Sequence, residues 1–314
     1  MIHYLRPDTL DRFFDASTFA RTPPADPEAE AVAREARKNP DPHIDDRFTV
    51  GEALRWAETV RDGPFFLYVN LQGTHSPYLT PPGFVPRFAT APRDFPIGYG
   101  NWPREKAAAV RGFYTDCGAY VDTQVARVAA FLRERGLWDR TIVVVTGDHG
   151  EGFYEHGFAA HGAALYDEAL RVPLVLRVPG LPSGIDPRPA QILDVPPTIC
   201  HALGLPPHPA FQGEDLLGPA PAGARSRYLV VQTPVARQVG VVRGAHKLIY
   251  DLQERRHILY DRAADPGERE DVLAGQPAMA ADLKARLSAW FEAQVGYYRD
   301  AARQAREYPP GLEE

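Results

Sequence analysis

The residues best suited to chemistry sit in one stretch: Thr146-Gly147-Asp148-His149-Gly150-Glu151, then Glu155-His156-Gly157 and His161-Gly162. A carboxylate beside an imidazole offers one oxygen and one nitrogen ligand to a divalent metal. Gly147 and Gly150 allow a sharp turn and a close approach of backbone to an ion. The Asp148-His149 pair by itself reads equally well as a solvated turn. The acids and histidines that follow tip the reading toward a site. His161 is a candidate proton donor or anion contact, because imidazole titrates near neutral pH; its bland alternative is a backbone-bonded residue at a helix N-terminus. His156 reads as structural, and Glu151 and Glu155 as residues that orient their neighbours.

A second constellation is Gly73-Thr74-His75-Ser76-Pro77-Tyr78. Pro77 stiffens the turn. A histidine there could contact a tetrahedral anion or protonate a leaving oxygen. A satisfied loop histidine is the equal alternative on this motif alone.

Both stretches follow apolar runs. Phe65–Leu71 (FFLYVNL) and Thr141–Thr146 (TIVVVT) have the continuous apolar character of strands buried on both faces. Leu174–Val178 is a third such run. Helical periodicity marks Thr49–Arg61, with Asp46 or Thr49 as cap, and Asp194–Leu203. It also marks Arg104–Arg135, where Val110, Tyr114, Val121, Val125, Val128 and Leu132 form the apolar side. This alternation predicts an α/β fold with a mostly parallel sheet flanked by helices. Ligands bind beyond the carboxyl ends of such strands, so His75 and Asp148 are expected on one sheet edge. From about Pro219 the pattern changes to short strands over Tyr228–Gln232, Val239–Arg243, Lys247–Tyr250 and His257–Tyr260, then a helix over Ala278–Gln294. These predict a small C-terminal antiparallel α+β subdomain. The expected organisation is an irregular segment over 1–47 with a short polar helix at Ala29–Lys38, a catalytic portion over 48–218, and the subdomain over 219–314. Pro81–Asn101 is expected to form part of a substrate rim.

Composition narrows the partners. The 314 residues are 44% hydrophobic and 24% charged, a globular balance. The net charge of -6 argues against nucleic acid, whose phosphates need clustered Lys and Arg. An anionic small molecule stays open, because a metal reverses the local field. The two cysteines, Cys117 and Cys200, form no CxxC pair, so neither a disulfide framework nor a cysteine-rich zinc site is expected. No apolar run approaches the roughly 20 residues of a transmembrane segment.

These stretches together resemble the sulfatase branch of the alkaline phosphatase superfamily. The resemblance is carried by PFFLYVNLQGTHSPY, by TIVVVTGDHGEGFYEHGFAAHGAALYDEALRVPLVLRVPG, and by the run from VVRGAHKLIYDL to LYDRAADPGERED, with ILDVPPTICHALGLP and FQGEDL between them. It covers roughly residues 48–294. It implies metal ligation by Asp148 and His149 and substrate-anion contact by His75. It places His161 where relatives carry a Lys or His that binds the anionic group. Lys247 is left outside the site. Calcium is the metal implied first, with manganese or magnesium the alternatives. The implied partner is a small-molecule or glycan sulfate ester, and full-length relatives suggest periplasmic, membrane-attached or secreted placement.

The chain departs from the family pattern in one respect. The family carries an acidic pair on its first strand, then a Cys or Ser in x-Pro-x-Arg context that supplies the nucleophile. Cys117 lies in YTDCGAY, Cys200 in a helix and Ser17 in DASTFAR, none with that context. Asp45-Asp46 precedes a helix and reads as its cap. The chain is therefore expected to be incomplete at its N-terminus and to leave sheet edges exposed. Sulfate-ester hydrolysis leads. Phosphoester or phosphonate hydrolysis, or phosphoglycerol transfer, is the alternative on the same scaffold, and a non-catalytic anion- or partner-binding pseudoenzyme is the alternative of another class.

Overall fold

A computed structural model describes residues 45–92, 95, 97–98, 102–219 and 223–311. The short helix expected at Ala29–Lys38, Ser17 and all but the end of the irregular segment lie outside these residues, as does part of the expected rim. The chain divides into two compact units, Met1–Phe88 with Phe113–Glu134, and Ala89–Gly112 with Arg135–Glu314.

The first unit is built on helix α1 (Asp46–Val60) and most of helix α2 (Ala107–Glu134). Asp45 is the N-cap of α1, its carboxylate accepting from the Arg47 amide at 2.9 Å and from the Tyr120 hydroxyl at 2.8 Å. Burial would raise the Asp45 carboxyl, but its bonds from Arg47 and Tyr120 outweigh that and hold it below the ordinary carboxylate value. Asp46 turns inward and is 1% exposed. The residues that follow α1 do not form the doubly buried strand expected at Phe65–Leu71. They run without a paired strand among the described residues, and alternate side chains point out, leaving Phe66 78% and Tyr68 74% exposed. The physical reason is the period-2 alternation of an extended chain: an apolar run that the described residues cover on one side shows every other residue to solvent. Helix α2 buries Val110, Cys117, Tyr120 and Leu132. Val110 and Leu132 belong to the expected apolar side, whose Tyr114, Val121, Val125 and Val128 are partly buried, and the buried face also takes in Asp116, which accepts the Arg87 and Phe88 amides at 2.6 and 3.0 Å.

The second unit contains strands β1 (Val143–Thr146), β2 (Gly152–Phe153), β3 (Ala159–Ala160) and β4 (Leu174–Arg177), with the four-residue helix α3 (Asp167–Leu170). Strands β1 and β4 pair antiparallel, with Thr146 opposite Leu174 and Val143 opposite Arg177. The expected parallel pairing is not found among the described residues. A parallel neighbour requires a crossover that returns the chain to the other end of the sheet. Here residues 147–173 stay at the carboxyl end of β1, so the chain re-enters at that end and runs the opposite way. Helix α4 (Val195–Ala202) follows.

The C-terminal part is an antiparallel meander of β5 (Ser226–Gln232), β6 (Arg237–Arg243), β7 (His246–Asp251) and β8 (Arg256–Asp261), as the alternation predicts. One face packs against helix α5 (Pro277–Arg299) through Val241, Leu248, Leu259, Leu283 and Leu287. The other face packs through Val231, Ile249 and Tyr260 against Leu165, immediately before α3. Each such buried side chain contributes about 1.5–3 kcal/mol. This second face fastens the meander to the loop that carries Asp148.

Candidate active site

The loop after β1 is shaped by residues that tolerate little change. The Gly150 amide donates to the Ala169 carbonyl at 2.9 Å. A Cβ on Gly150 would lie 2.1 Å from the Glu168 carbonyl oxygen, so only glycine fits this crossing of two backbones. Strands β2 and β3 then form a tight hairpin, in which Tyr154 and Ala160 hold left-handed φ values of 68° and 64°. That hairpin returns His161 toward Asp148 and His149.

The rings of His149 and His161 lie 3.6 Å apart between centroids, inclined at 32°. Nδ1 of His149 lies 2.8 Å from the Gly150 carbonyl. A carbonyl only accepts, so Nδ1 donates and Nε2 is the acceptor nitrogen. That Nε2 is 3.7 Å from Oδ2 of Asp148, whose side chain is 89% exposed. Nδ1 of His161 meets Oε1 of Glu151 at 3.1 Å, and Glu151 is only 6% exposed. Glu151 thus fixes the tautomer and direction of His161. In both histidines the Nδ1 side is engaged, the arrangement in which a partner on Nδ1 orients a ligating or proton-transferring imidazole.

Deeper residues brace this loop. His156 stacks on Tyr166 at 3.7 Å and 1°, with Nδ1 2.7 Å from Glu168 and Nε2 3.0 Å from the Glu268 carbonyl. Lys247, fully buried, pairs with Asp167 at 2.6 Å and Glu268 at 2.5 Å, and Arg262 pairs with Asp167 at 2.8 Å. Burial alone would raise the Asp167 carboxyl, but Lys247 and Arg262 outweigh it and hold it below the ordinary carboxylate value. Sequence reasoning left Lys247 outside the site, and the structure shows it bracing α3 from below. The clamp of Gly150 on the Glu168 and Ala169 carbonyls was missed altogether. One signal was available: a lysine leading directly into Leu248-Ile249 marks a buried charge that needs partners.

His75 belongs to the other compact unit. Its Nδ1 donates to the Ser76 carbonyl at 2.7 Å, so its acceptor nitrogen is also Nε2, and the residue is exposed. The turn closes through the His75 amide on Gln72 at 2.9 Å and the Tyr78 amide on His75 at 3.1 Å. Asp46 anchors its base by accepting the Gln72 and Gly73 amides at 2.9 and 2.8 Å. Tyr78 fills the interior at 1% exposure, edge-on to Tyr114 at 5.5 Å.

Asp148 and His149 fit as two donors for one divalent ion: an exposed carboxylate and an aimed Nε2 beside it. No cluster of three or more His, Cys, Asp or Glu suited to a metal occurs among the described residues. Cys117 is fully buried in α2, and Cys200 lies partly buried on α4. No helix among the described residues is long and apolar enough to cross a membrane.

Comparison with known proteins identifies the family and the fold. The Sulfatase family model matches residues 7–205. An uncharacterised sulfatase, YidJ, of Escherichia coli K12 is 26% identical over 270 residues, covering 74% of this chain and 52% of that protein. A Δ4,5-hexuronate-2-O-sulfatase of Bacteroides thetaiotaomicron is 30% identical over 216 residues, covering 61% of this chain and 44% of that protein. The crystal structure of a phosphonate monoester hydrolase of Agrobacterium radiobacter superposes with a TM-score of 0.62 at 25% identity, covering 76% of this chain and 59% of that one. The chain spans about half the length of the curated relatives it matches. The family-model match over more than half of the chain shows that it belongs to the sulfatase family, and the structural likeness shows the α/β fold of the alkaline phosphatase superfamily.

Proposed function

We propose that this chain carries the metal-ligand and histidine part of a site that hydrolyses sulfate esters, on small molecules or glycans. The observation that supports it most is the His149–His161 pair, 3.6 Å apart, with Nδ1 of His149 on the Gly150 carbonyl and Nδ1 of His161 on Glu151. Asp148 and His149 would hold a divalent cation, calcium first, with manganese or magnesium the alternatives. A cation there would polarise the sulfate oxygens as a Lewis acid. His161, aligned by Glu151, would carry the proton to the leaving alcohol oxygen at Nε2. His75 would bind the sulfate oxygens through the same ring edge. Residues 48–218 form the catalytic portion in this reading, and 219–314 a subdomain that braces it. Periplasmic, membrane-attached or secreted placement belongs to the same proposal, and native protein found in the cytoplasmic fraction would count against it.

Hydrolysis of phosphoesters or phosphonates, or phosphoglycerol transfer, on the same residues is the second reading. The likeness to a phosphonate monoester hydrolase favours it.

The test is turnover of 4-nitrophenyl sulfate and of 4-nitrophenyl phenylphosphonate by the purified chain, with calcium, manganese or chelator. Faster release from the sulfate ester, lost with chelator and in Asp148→Asn, would carry the first reading and would show that the chain supplies a nucleophile outside the Cys- or Ser-x-Pro-x-Arg context that its sequence lacks. Preference for the phosphonate would install the second reading. Saturable binding of the sulfate ester with no product from either compound would identify a non-catalytic binding protein instead.

A further inference from the structure

The described residues enclose a cleft of about 140 Å³ at one end of the C-terminal meander, lined in part by Arg188, Glu214, Asp215, Arg225 and Arg227. It shares no residue with the Asp148 loop. Its volume equals roughly four or five waters at about 30 Å³ each, room for one small anionic group.

The charges around it are unequally matched. Arg188 is spent on Asp186 at 2.6 Å and on the Leu216 and Gly218 carbonyls. Asp215 is taken by His201. Arg225 has a side chain only 8% exposed, and pairs through Nη2 with Asp194 at 2.8 Å and through Nε with Glu214 at 3.1 Å. Its Nη1 is buried and has no hydrogen-bond partner among the described residues. Arg227, two residues on and in β5, has a buried Nε with no partner and no ion pair to an acid among the described residues. Burial, then the neighbouring Arg262 and Arg225, lower the Arg227 guanidinium from its ordinary value. Buried donors are normally satisfied, and those that are not call for an explanation such as a bound ion or water. Here two unsatisfied groups belong to guanidiniums that line one cleft, so the missing partner is an acceptor with negative charge and more than one oxygen.

We propose that this cleft is an oxyanion site in which Arg225 Nη1 and the Arg227 guanidinium receive the oxygens of a sulfate group. The inference stands on the cleft alone and does not require the hydrolase reading. The group could arrive as inorganic sulfate or on a sulfated saccharide, and the two sources separate by experiment.

Sodium sulfate is titrated calorimetrically into the full chain at constant ionic strength, and glucose 6-sulfate is titrated in parallel. The titration is repeated without divalent metal in a variant carrying both His75→Gln and His161→Gln, which removes the anion contacts proposed for the other site. Saturable sulfate binding should persist in that double variant and weaken at least tenfold in Arg227→Gln. Arg227→Lys, which keeps the charge and loses the fork, should fall between them, a grading that misfolding would not produce and that also stands if Arg227→Gln fails to fold. Binding of glucose 6-sulfate with the same dependence assigns the cleft to a saccharide sulfate, and binding of inorganic sulfate only assigns it to the free anion. Absence of saturable sulfate binding in the unmodified chain, or affinity unchanged in the Arg227 variants, overturns the proposal.

Discussion

The ammonium of Lys247 lies 2.5 Å from a carboxylate oxygen of Glu268, and the two side chains are 0% and 1% exposed. Glu268 also accepts the Asp167 amide at 2.9 Å and offers its carbonyl to His156. A strand of the C-terminal meander is thereby tied to the residues that hold the Asp148 loop. Lys247→Met should cost about 3–5 kcal/mol, because removing one partner leaves buried carboxylates uncompensated. Urea unfolding of the variant measures this directly. A loss below about 1 kcal/mol would mean that water enters and solvates Glu268 once the lysine is gone.

The same network sets an acid limit. The Asp167 carboxyl is held below its ordinary value by Lys247 and Arg262 against the opposing effect of burial. A depressed folded value means that the unfolded chain binds the proton first as pH falls. Stability from Asp167 is therefore complete above the ordinary carboxylate value and is lost as pH falls through the lower folded one. Unfolding midpoints measured from neutral pH into the acid range should show this loss, and Asp167→Asn should flatten the part due to this residue. An unchanged acid slope in Asp167→Asn would assign the acid sensitivity to other carboxylates.

The legible parts were local. The four strands of the meander announce themselves by alternation and turn residues, and Leu283 and Leu287 announce the covering face of α5 by helical spacing. Asp148, His149 and His161 stand out because their types and closeness in sequence exceed what a surface loop requires. Strand direction was not legible. Val143–Thr146 and Leu174–Arg177 are equally apolar in a parallel or an antiparallel pair, and the choice depends on where residues 147–173 travel. The exposure of Phe66 and Tyr68 was hidden for a similar reason, since an apolar run does not state how many layers cover it. The Lys247–Glu268 pair and the unsatisfied Arg225 and Arg227 arise from residues distant in sequence, and no spacing rule joins them.

Two glycines in the loop should respond differently to the same substitution. A Cβ at Gly150 meets the Glu168 carbonyl oxygen at 2.1 Å, a backbone atom that cannot swing aside. Gly157 has φ of 85° but nothing within 4 Å of the added carbon. Gly157→Ala should cost roughly 1–2 kcal/mol from the left-handed backbone alone. Gly150→Ala should cost more and should also displace His149, so it should lower divalent-metal affinity where Gly157→Ala does not. Calorimetric titration of calcium and manganese into both variants compares them. Equal metal affinity in the two would show that the β1 loop relaxes around the alanine without moving its side chains.

His156 offers the sharpest separation of packing from polar bracing. Its ring lies parallel to Tyr166 at 3.7 Å, while its two nitrogens face Glu168 and the Glu268 carbonyl at 2.7 and 3.0 Å. His156→Phe preserves an aromatic ring for the stack and deletes both polar contacts. It leaves the Glu168 carboxylate, 11% exposed, without its partner. Stranding a buried acceptor costs about 1–3 kcal/mol. Glu168 also supplies the carbonyl that confines Gly150, so its release should loosen the turn that aims His149. Loss of such a supporting contact weakens metal binding by roughly 10–100-fold at well-formed sites. The expected result is therefore a modest fall in the unfolding midpoint accompanied by a disproportionate fall in divalent-metal affinity. His156→Gln, which can keep one polar contact but not the stack, should show the reverse balance: a comparable loss of stability with metal affinity better preserved. If instead His156→Phe keeps metal affinity and His156→Gln loses it, the stack on Tyr166 rather than the contact with Glu168 is what holds the loop in place.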